Sequence, residues 1–383
     1  MRAAQPARGA AMPWRELPRL RQLLPGLAIC LALTACATAR VTPYQPPAPE
    51  YALPAAADSA FTAIEADLHA RHGAGTSGFH LLDSNEESLR WRLAMIDSAR
   101  HSIDFQYYLW YGDAAGRLVG KRLLDAADRG VRVRVLVDDL NTLLRDASSV
   151  VLRDKAVAWL DSHPNMEVRL FNPWSNRDFA GRVGEGLVEF EKTNKRMHNK
   201  SLIVDNRAVI IGGRNIGDEY MGLNPAFNFH DLDVLGIGPV ARQASAVFDA
   251  YWNSDWVMPA AALDISIPAE ASAAARAEIL EKMAANPALS RFDLEPRSWA
   301  DEIGRLPGIL HAGTSRVISD LPQGGTIDHV MMDEVRAMLV STQRELLMVN
   351  AYIIPAERGI TTLARLHACL LYTSDAADEC PAV

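Results

Sequence analysis

Cysteine is scarce in this chain of 383 residues. Cys30 and Cys36 lie near the start and Cys369 and Cys380 near the end, with none between residues 37 and 368. That distribution builds neither a disulfide framework nor a cysteine metal site, and the ten histidines include no His-Glu-x-x-His pairing. No metal and no cofactor are therefore expected. A surplus of basic residues is missing too. Lysine and arginine number 39 against 47 acids, a formal net charge of -8, whereas proteins dedicated to nucleic acid carry extra cations to neutralise phosphates. No nucleic-acid partner is expected. A membrane-spanning run is also lacking, because the apolar stretch from Leu23 to Leu33 is too short for an ordinary transmembrane helix. What is present suits a globular enzyme: 49% hydrophobic and 22% charged residues are ordinary, and the length leaves room for about two domains.

The first residues read as a targeting segment. Arg15, Arg19 and Arg21 precede the apolar stretch, and Leu33-Thr34-Ala35-Cys36 looks like a bacterial lipobox. Residues 1–35 are thus expected to be a lipoprotein signal peptide, with Cys36 as the lipid-bearing first residue of the mature chain. Ala37 stands where an Asp would favour retention in the inner membrane. The expected location is the bacterial cell envelope, lipid-anchored, on the periplasmic face of the outer membrane. Residues 36–75, rich in Pro and Ala with Pro46-Pro47, are expected to form a tether.

Further along, Ile103, Phe105, Tyr107 and Leu109 alternate as a strand, Val119, Leu123 and Ala127 recur at helical spacing, and Gly130 ends that helix. Val131, Val133, Val135 and Val137 form a second strand ending at Asp138, giving a β-α-β unit. Leu89–Arg100 ahead of it reads as a helix. Leu93–Ile103 also pairs without gaps with Arg336–Leu346, joining Ala94 to Ala337, Met95 to Met338 and Ser98 to Ser341. Two lobes are implied.

The chemistry is concentrated in His198-Asn199-Lys200, then Asp205, then Gly212-Gly213-Arg214-Asn215. Alternating side chains in a strand would aim His198 and Lys200 the same way. Ser201–Val204 and Ala208–Ile211 read as two buried strands joined by a turn at Asp205-Asn206-Arg207. Gly212 and Gly213, lacking side chains, would let a phosphate lie against their amides. Asn215 can donate to a phosphoryl oxygen, Lys200 can offset its charge, and a neutral His198 can attack phosphorus. Asp205 is read as organising the site. Downstream, the alternation over Phe229–Leu235 places Asp231 and Asp233 on one face of a strand, where either could hold the His198 tautomer. Lys192, Lys195, Arg196 and Lys200 crowd the approach and could attract an anionic headgroup.

The pattern His-x-Lys-x4-Asp-x6-Gly-Gly-x-Asn resembles the signature of the phospholipase D superfamily. Arg196–Tyr220, Asp231–Val240 and Phe248–Ser254 narrow it to the bacterial cardiolipin synthase branch that carries Gly-Gly. The resemblance implies an α/β phospholipase D fold, a β-sheet flanked by helices, with a first lobe over residues 76–262. A connecting helical segment at 263–310 and the start of a second lobe at 311–383 follow, residues 368–383 departing from the expected pattern. It also implies a phosphohistidine on His198, an acid past Asn215 that orients it, and a second His from the other lobe. By the repeat shift that second His falls beyond Val383, so the first lobe is expected complete and the second incomplete. Phospholipids are the expected substrates, in transfer of a phosphatidyl group. The alternatives are a hydrolytic phospholipase D, a nuclease-type phosphodiesterase, and an inactive fragment or one that pairs His198 across a homodimer.

Overall fold

A computed structural model describes residues 46–139, 147–175, 195–263, 265, 268–323, 326–348 and 356–369. Cys36, Lys192, residues 350–355 of the expected second lobe and the tail from residue 370 lie outside them. Nine strands form one sheet, in the order β8-β4-β3-β2-β5-β6-β7-β1-β9. The strands are β1 (Ser77–Leu82), β2 (Ser102–Tyr107), β3 (Arg132–Asp138), β4 (Met166–Phe171), β5 (Ser201–Val204), β6 (Ala208–Gly212), β7 (Asp233–Ile237), β8 (Val257–Pro259) and β9 (His311–Gly313). β2, β3 and β4 run parallel, as β-α-β crossovers require, and the remaining pairs are antiparallel.

Helices α1 (Thr62–His72), α2 (Asn85–Ser98), α3 (Ala114–Asp128), α4 (Ala147–Asp161) and α5 (Pro239–Trp252) cover the sheet. Alternation along the strands sorts them into two cores. Leu202, Val204 and Ile210 join Leu89, Leu93, Ile96, Leu118 and Leu123 on one face, while Ile203 and Val209 join Val240, Phe248 and Trp252 of α5 on the other. Strand β2, α3 and β3 form the unit read from alternation and from Gly130, whose φ of 91° ends the helix as only glycine does readily. α2 begins at an N-cap, Ser84, whose hydroxyl accepts from the Glu87 amide.

Two boundaries differ from the sequence expectation. The tether expected over residues 36–75 does not reach 75. From Glu50 onward the chain is bonded to the sheet domain: Arg134 donates to the Glu50 carbonyl, Asn253 holds its amide, and α1 buries Ile64 and Leu68. Residues 311–313, expected in a second lobe, instead supply β9 at the edge of this sheet, antiparallel to β1. Beyond them lie a short hairpin, β10 (Pro322–Gln323) with β11 (Thr326–Ile327), then α8 (Val330–Val340) and α9 (Ala356–Cys369), which continues past Arg365. Between the sheet domain and these elements, α6 (Ala269–Ala284) and α7 (Ala300–Arg305) pack Met283 and Ile303 into the first core.

Candidate active site

The His-Lys motif lies just ahead of β5, in extended chain rather than within the strand. It is placed by the β2–β5 register: Gln106 pairs with Ser201, so the residues preceding Ser201 run alongside those following Gln106. Two groups then converge. The Lys200 ammonium is 3.0 Å from His198 Nδ1 and donates to the His198 carbonyl at 2.7 Å. Tyr108, just past β2, lays its ring 4.6 Å from the imidazole and 5.5 Å from the Lys200 nitrogen. Burial, then the neighbouring Lys200 charge, lowers the His198 pKa, so the ring is neutral near pH 7. Burial also brings the Lys200 ammonium down to about 8, against the pull of Asp231 and Asp233.

Asn215 is tied to the chain just past Tyr108. Its Oδ1 accepts from the Leu109 amide at 3.0 Å, and Trp110 bridges Ile216 in parallel, so the carboxamide is buried with its acceptor side committed. The amide nitrogen is thereby the end left to face a ligand.

The Gly-Gly pair does a different job from the one expected. The Gly212 amide donates to the Lys200 carbonyl and the Gly213 amide to the Leu232 carbonyl, so neither is reserved for a phosphate. Their missing side chains make room for carboxylates. A Cβ on Gly212 would lie 1.9 Å from Asp233 Oδ1, and one on Gly213 2.1 Å from Asp231 Oδ1.

The two acids separate in role. Asp233 opens β7 and is fully buried, bonded to Ser88 and to Arg92 at 2.9 Å, with Arg214 at 3.4 Å. Burial alone would raise its carboxyl; Arg92, Ser88 and Arg214 overcome that and hold it below the ordinary value. Asp231 precedes the strand and is half-buried, and its charge acts on both His198 and Lys200. Of the pair, Asp231 is the one whose charge is felt at His198. Asp205 is not at the site. It sits at the other end of β5, roughly 16 Å of extended chain from Lys200. There its buried carboxylate accepts from the amides of Arg100, His101 and Ser102 and fixes the start of β2. Asp205 and Asn206, with φ of 53° and 51°, make the tight β5–β6 turn.

Of the basic residues read at the approach, Arg196 donates to Asn172 and pairs with Asp138, and Lys195 lies over Trp256. Sequence reading missed Tyr108, Ser88 and Arg92. Arg92 carried a signal: an arginine among Leu89, Trp91, Leu93 and Ile96 on an apolar helix implies a buried partner. A cavity of about 360 Å³ opens beside His198 and Lys200. Among the described residues no cluster of three or more metal-binding side chains occurs, and no helix is long and apolar enough to cross a membrane.

This geometry can be set beside known proteins. The family described as "Cardiolipin synthase, PLD-like domain" matches residues 93–252. Cardiolipin synthase C of Escherichia coli K12 is 35% identical over 300 residues, 76% of this chain and 60% of that protein. An uncharacterized protein of Helicobacter pylori 26695 is 33% identical over 73% of this chain and 54% of its own length. The major cardiolipin synthase ClsA of Bacillus subtilis 168 is 33% identical over 42% of this chain. The chain therefore spans little more than half the length of the first two relatives. Among solved structures, phosphatidylserine synthase of Haemophilus influenzae covers 76% of this chain and 58% of its own, at 14% identity and a TM-score of 0.44. Nuc of Salmonella typhimurium, a phospholipase D family member, covers 48% of this chain and 97% of its own, at 17% identity and a TM-score of 0.33. With a phospholipase D-like domain over its central residues and cardiolipin synthases among its relatives, the chain belongs to the phospholipase D superfamily, close to the cardiolipin synthases.

Proposed function

We propose that this protein transfers a phosphatidyl group between phospholipids through a phosphohistidine on His198. The observation that carries the reading is a neutral imidazole with an ammonium 3.0 Å away and a buried carboxamide fixed by its acceptor end. The Lys200 contact at Nδ1 puts the ring proton on Nε2. When a phosphodiester enters, its oxygens draw Lys200 toward them, and Asp231 can then hold the Nδ1–H tautomer that frees Nε2 to attack. The phosphorus–nitrogen bond forms as the bond to the lipid alkoxide breaks, with Lys200 and Asn215 offsetting charge on the phosphoryl oxygens. A second acid must protonate that alkoxide. By resemblance it comes from a second copy of the motif, in another lobe or another chain. An incoming lipid alcohol then reverses the sequence.

The reading includes a lipid anchor at Cys36 on the periplasmic face of the outer membrane, supported by the lipobox sequence. Incubation with phospholipid radiolabelled in its phosphate, quenched in alkaline denaturant because the phosphorus–nitrogen bond hydrolyses in acid, is the direct test. Label is expected on His198 and absent from His198→Ala; undiminished label in that variant, or none in the unaltered protein, defeats the proposal. Transfer should also fall as pH rises through about 8, where Lys200 loses its proton.

A further inference from the structure

The cavity beside His198 has a mixed lining. His198, Lys200 and Arg196 supply its cations, and Ile211, Val247, Val317, Ile327 and Met331 supply apolar surface. Three of those five, Val317, Ile327 and Met331, lie outside residues 93–252, the part shared with the cardiolipin synthase domain family. They belong to a strap that is tied down at several points. Gln243 of α5 accepts from the Val317 amide and donates to the Ser315 carbonyl, and the Tyr251 hydroxyl donates to the Asp320 carbonyl at 2.6 Å. Asn199, between the nucleophile and the lysine, donates to the Ser319 hydroxyl at 3.2 Å. The Asp320 carboxylate, also on the cavity lining, accepts through one oxygen from the Met331 amide at the start of α8.

An apolar wall beside cations has a definite chemical consequence. A phosphodiester bonded to polar groups on both sides would leave that wall facing polar groups stripped of water, which is costly. An amphiphile satisfies both ends. At about 360 Å³ the space is near the lower limit of small-molecule pockets, enough for one aliphatic limb but not for a diacyl lipid. We infer that the strap of residues 315–323 and 326–331 forms a subsite for one aliphatic limb of the phosphodiester held at His198, and that Val317, Ile327 and Met331 set its chain-length preference. The inference rests on the reading of His198 and Lys200 as the phosphate site, and its test separates the two.

Alkylphosphocholines of increasing tail length, each kept below its micellar concentration, are titrated calorimetrically into the whole protein, with glycerophosphocholine as the tailless reference. Affinity should tighten roughly fourfold per methylene while the tail fits, then level off. Val317→Asp should flatten that dependence. Met331→Ser, at a partly exposed position that tolerates polarity, provides the milder variant in case the first disturbs folding. Circular dichroism certifies both. Tail-length dependence unchanged in a folded Val317→Asp or Met331→Ser protein overturns the subsite while leaving the phosphate reading intact. Glycerophosphocholine binding that is indifferent to Lys200→Ala, or absent from the unaltered protein, overturns the phosphate reading and the subsite with it.

Discussion

Helices α2 and α8 match in sequence and differ in nearly everything else. Leu93–Ile103 and Arg336–Leu346 align without gaps, and the two helices end within one residue of each other in that alignment, at Ser98 and Val340. Yet α2 buries eight residues, including the charged Arg92 at 1% exposure, while α8 buries none and leaves Met338 at 68%. Residue polarity does not decide this. α2 lies on a sheet whose strands offer both apolar side chains and an acid, so its leucines enter the core and its arginine finds Asp233. α8 has no comparable sheet beneath it among the described residues. Helix formation is local; burial requires a partner surface.

The comparison has a bearing on the site. Ser88 and Arg92 of α2 hold Asp233, Asp233 fills the space that Gly212 leaves, and Gly212 is bonded to Lys200. A buried helix thus supports the chain at Lys200 through charge. The contribution of α8 is made at its first turn, where Met331 reaches the cavity.

The largest effect is expected from breaking that charge link. Arg92→Ala should lower the unfolding free energy by about 3–5 kcal/mol, because Asp233 is then left buried with one cation fewer. Denaturant unfolding would measure it. Pairing the change with Asp233→Asn should recover part of the loss, since the stranded charge goes too. A loss below about 1 kcal/mol for Arg92→Ala would mean that Arg214 alone satisfies Asp233 and that α2 is an apolar prop only.

How much of this could be read from the chain follows the same division. The β2-α3-β3 unit and the β5–β6 hairpin were legible because alternation, helical spacing and turn residues are local signals. The spacing also set His198 beside Lys200, whose ammonium lies 3.0 Å from the imidazole. Asp205 was misplaced because a motif fixes order along the chain but not which end of a strand each residue occupies. The Gly-Gly amides were assigned to phosphate because their partners, Lys200 and Leu232, become neighbours only when β6 pairs with β5 on one side and β7 on the other. Tyr108 is brought to His198 by the β2–β5 register, a tertiary fact that no spacing encodes.

A middle-sized effect sharpens the contrast through pH. At the N-terminus of α3, Asp113 accepts from Gly116 and Asp218, and Asp218 accepts from Ala115. Burial, with the Asp218 carboxylate beside it, pushes Asp113 up to about 6. A carboxyl whose folded pKa lies above its unfolded value stabilises fully only below about 4, and that contribution disappears as pH rises through about 6. Stability should therefore drop on the order of 1–2 kcal/mol between pH 4 and 7 from this pair, allowing for screening. Asp218→Asn should reduce that part of the slope, leaving the share that burial contributes. An unchanged slope would show that the Asp218 carboxylate adds nothing to the shift of Asp113.

The smallest effect is expected on α8 itself. Met338 corresponds to Met95, fully buried on α2, but at 68% exposure it has little apolar contact to lose. Met338→Ser should change stability by no more than about 0.5 kcal/mol, the range of ordinary surface substitutions, whereas Met95→Ala should cost about 2–5 kcal/mol. Measured side by side by denaturant unfolding, the two numbers isolate what a sheet adds to one and the same helical pattern. If Met338→Ser instead cost as much as Met95→Ala, the α8 face would be covered in solution, and a shift in sedimentation on making the substitution would identify a second copy of this chain as the cover.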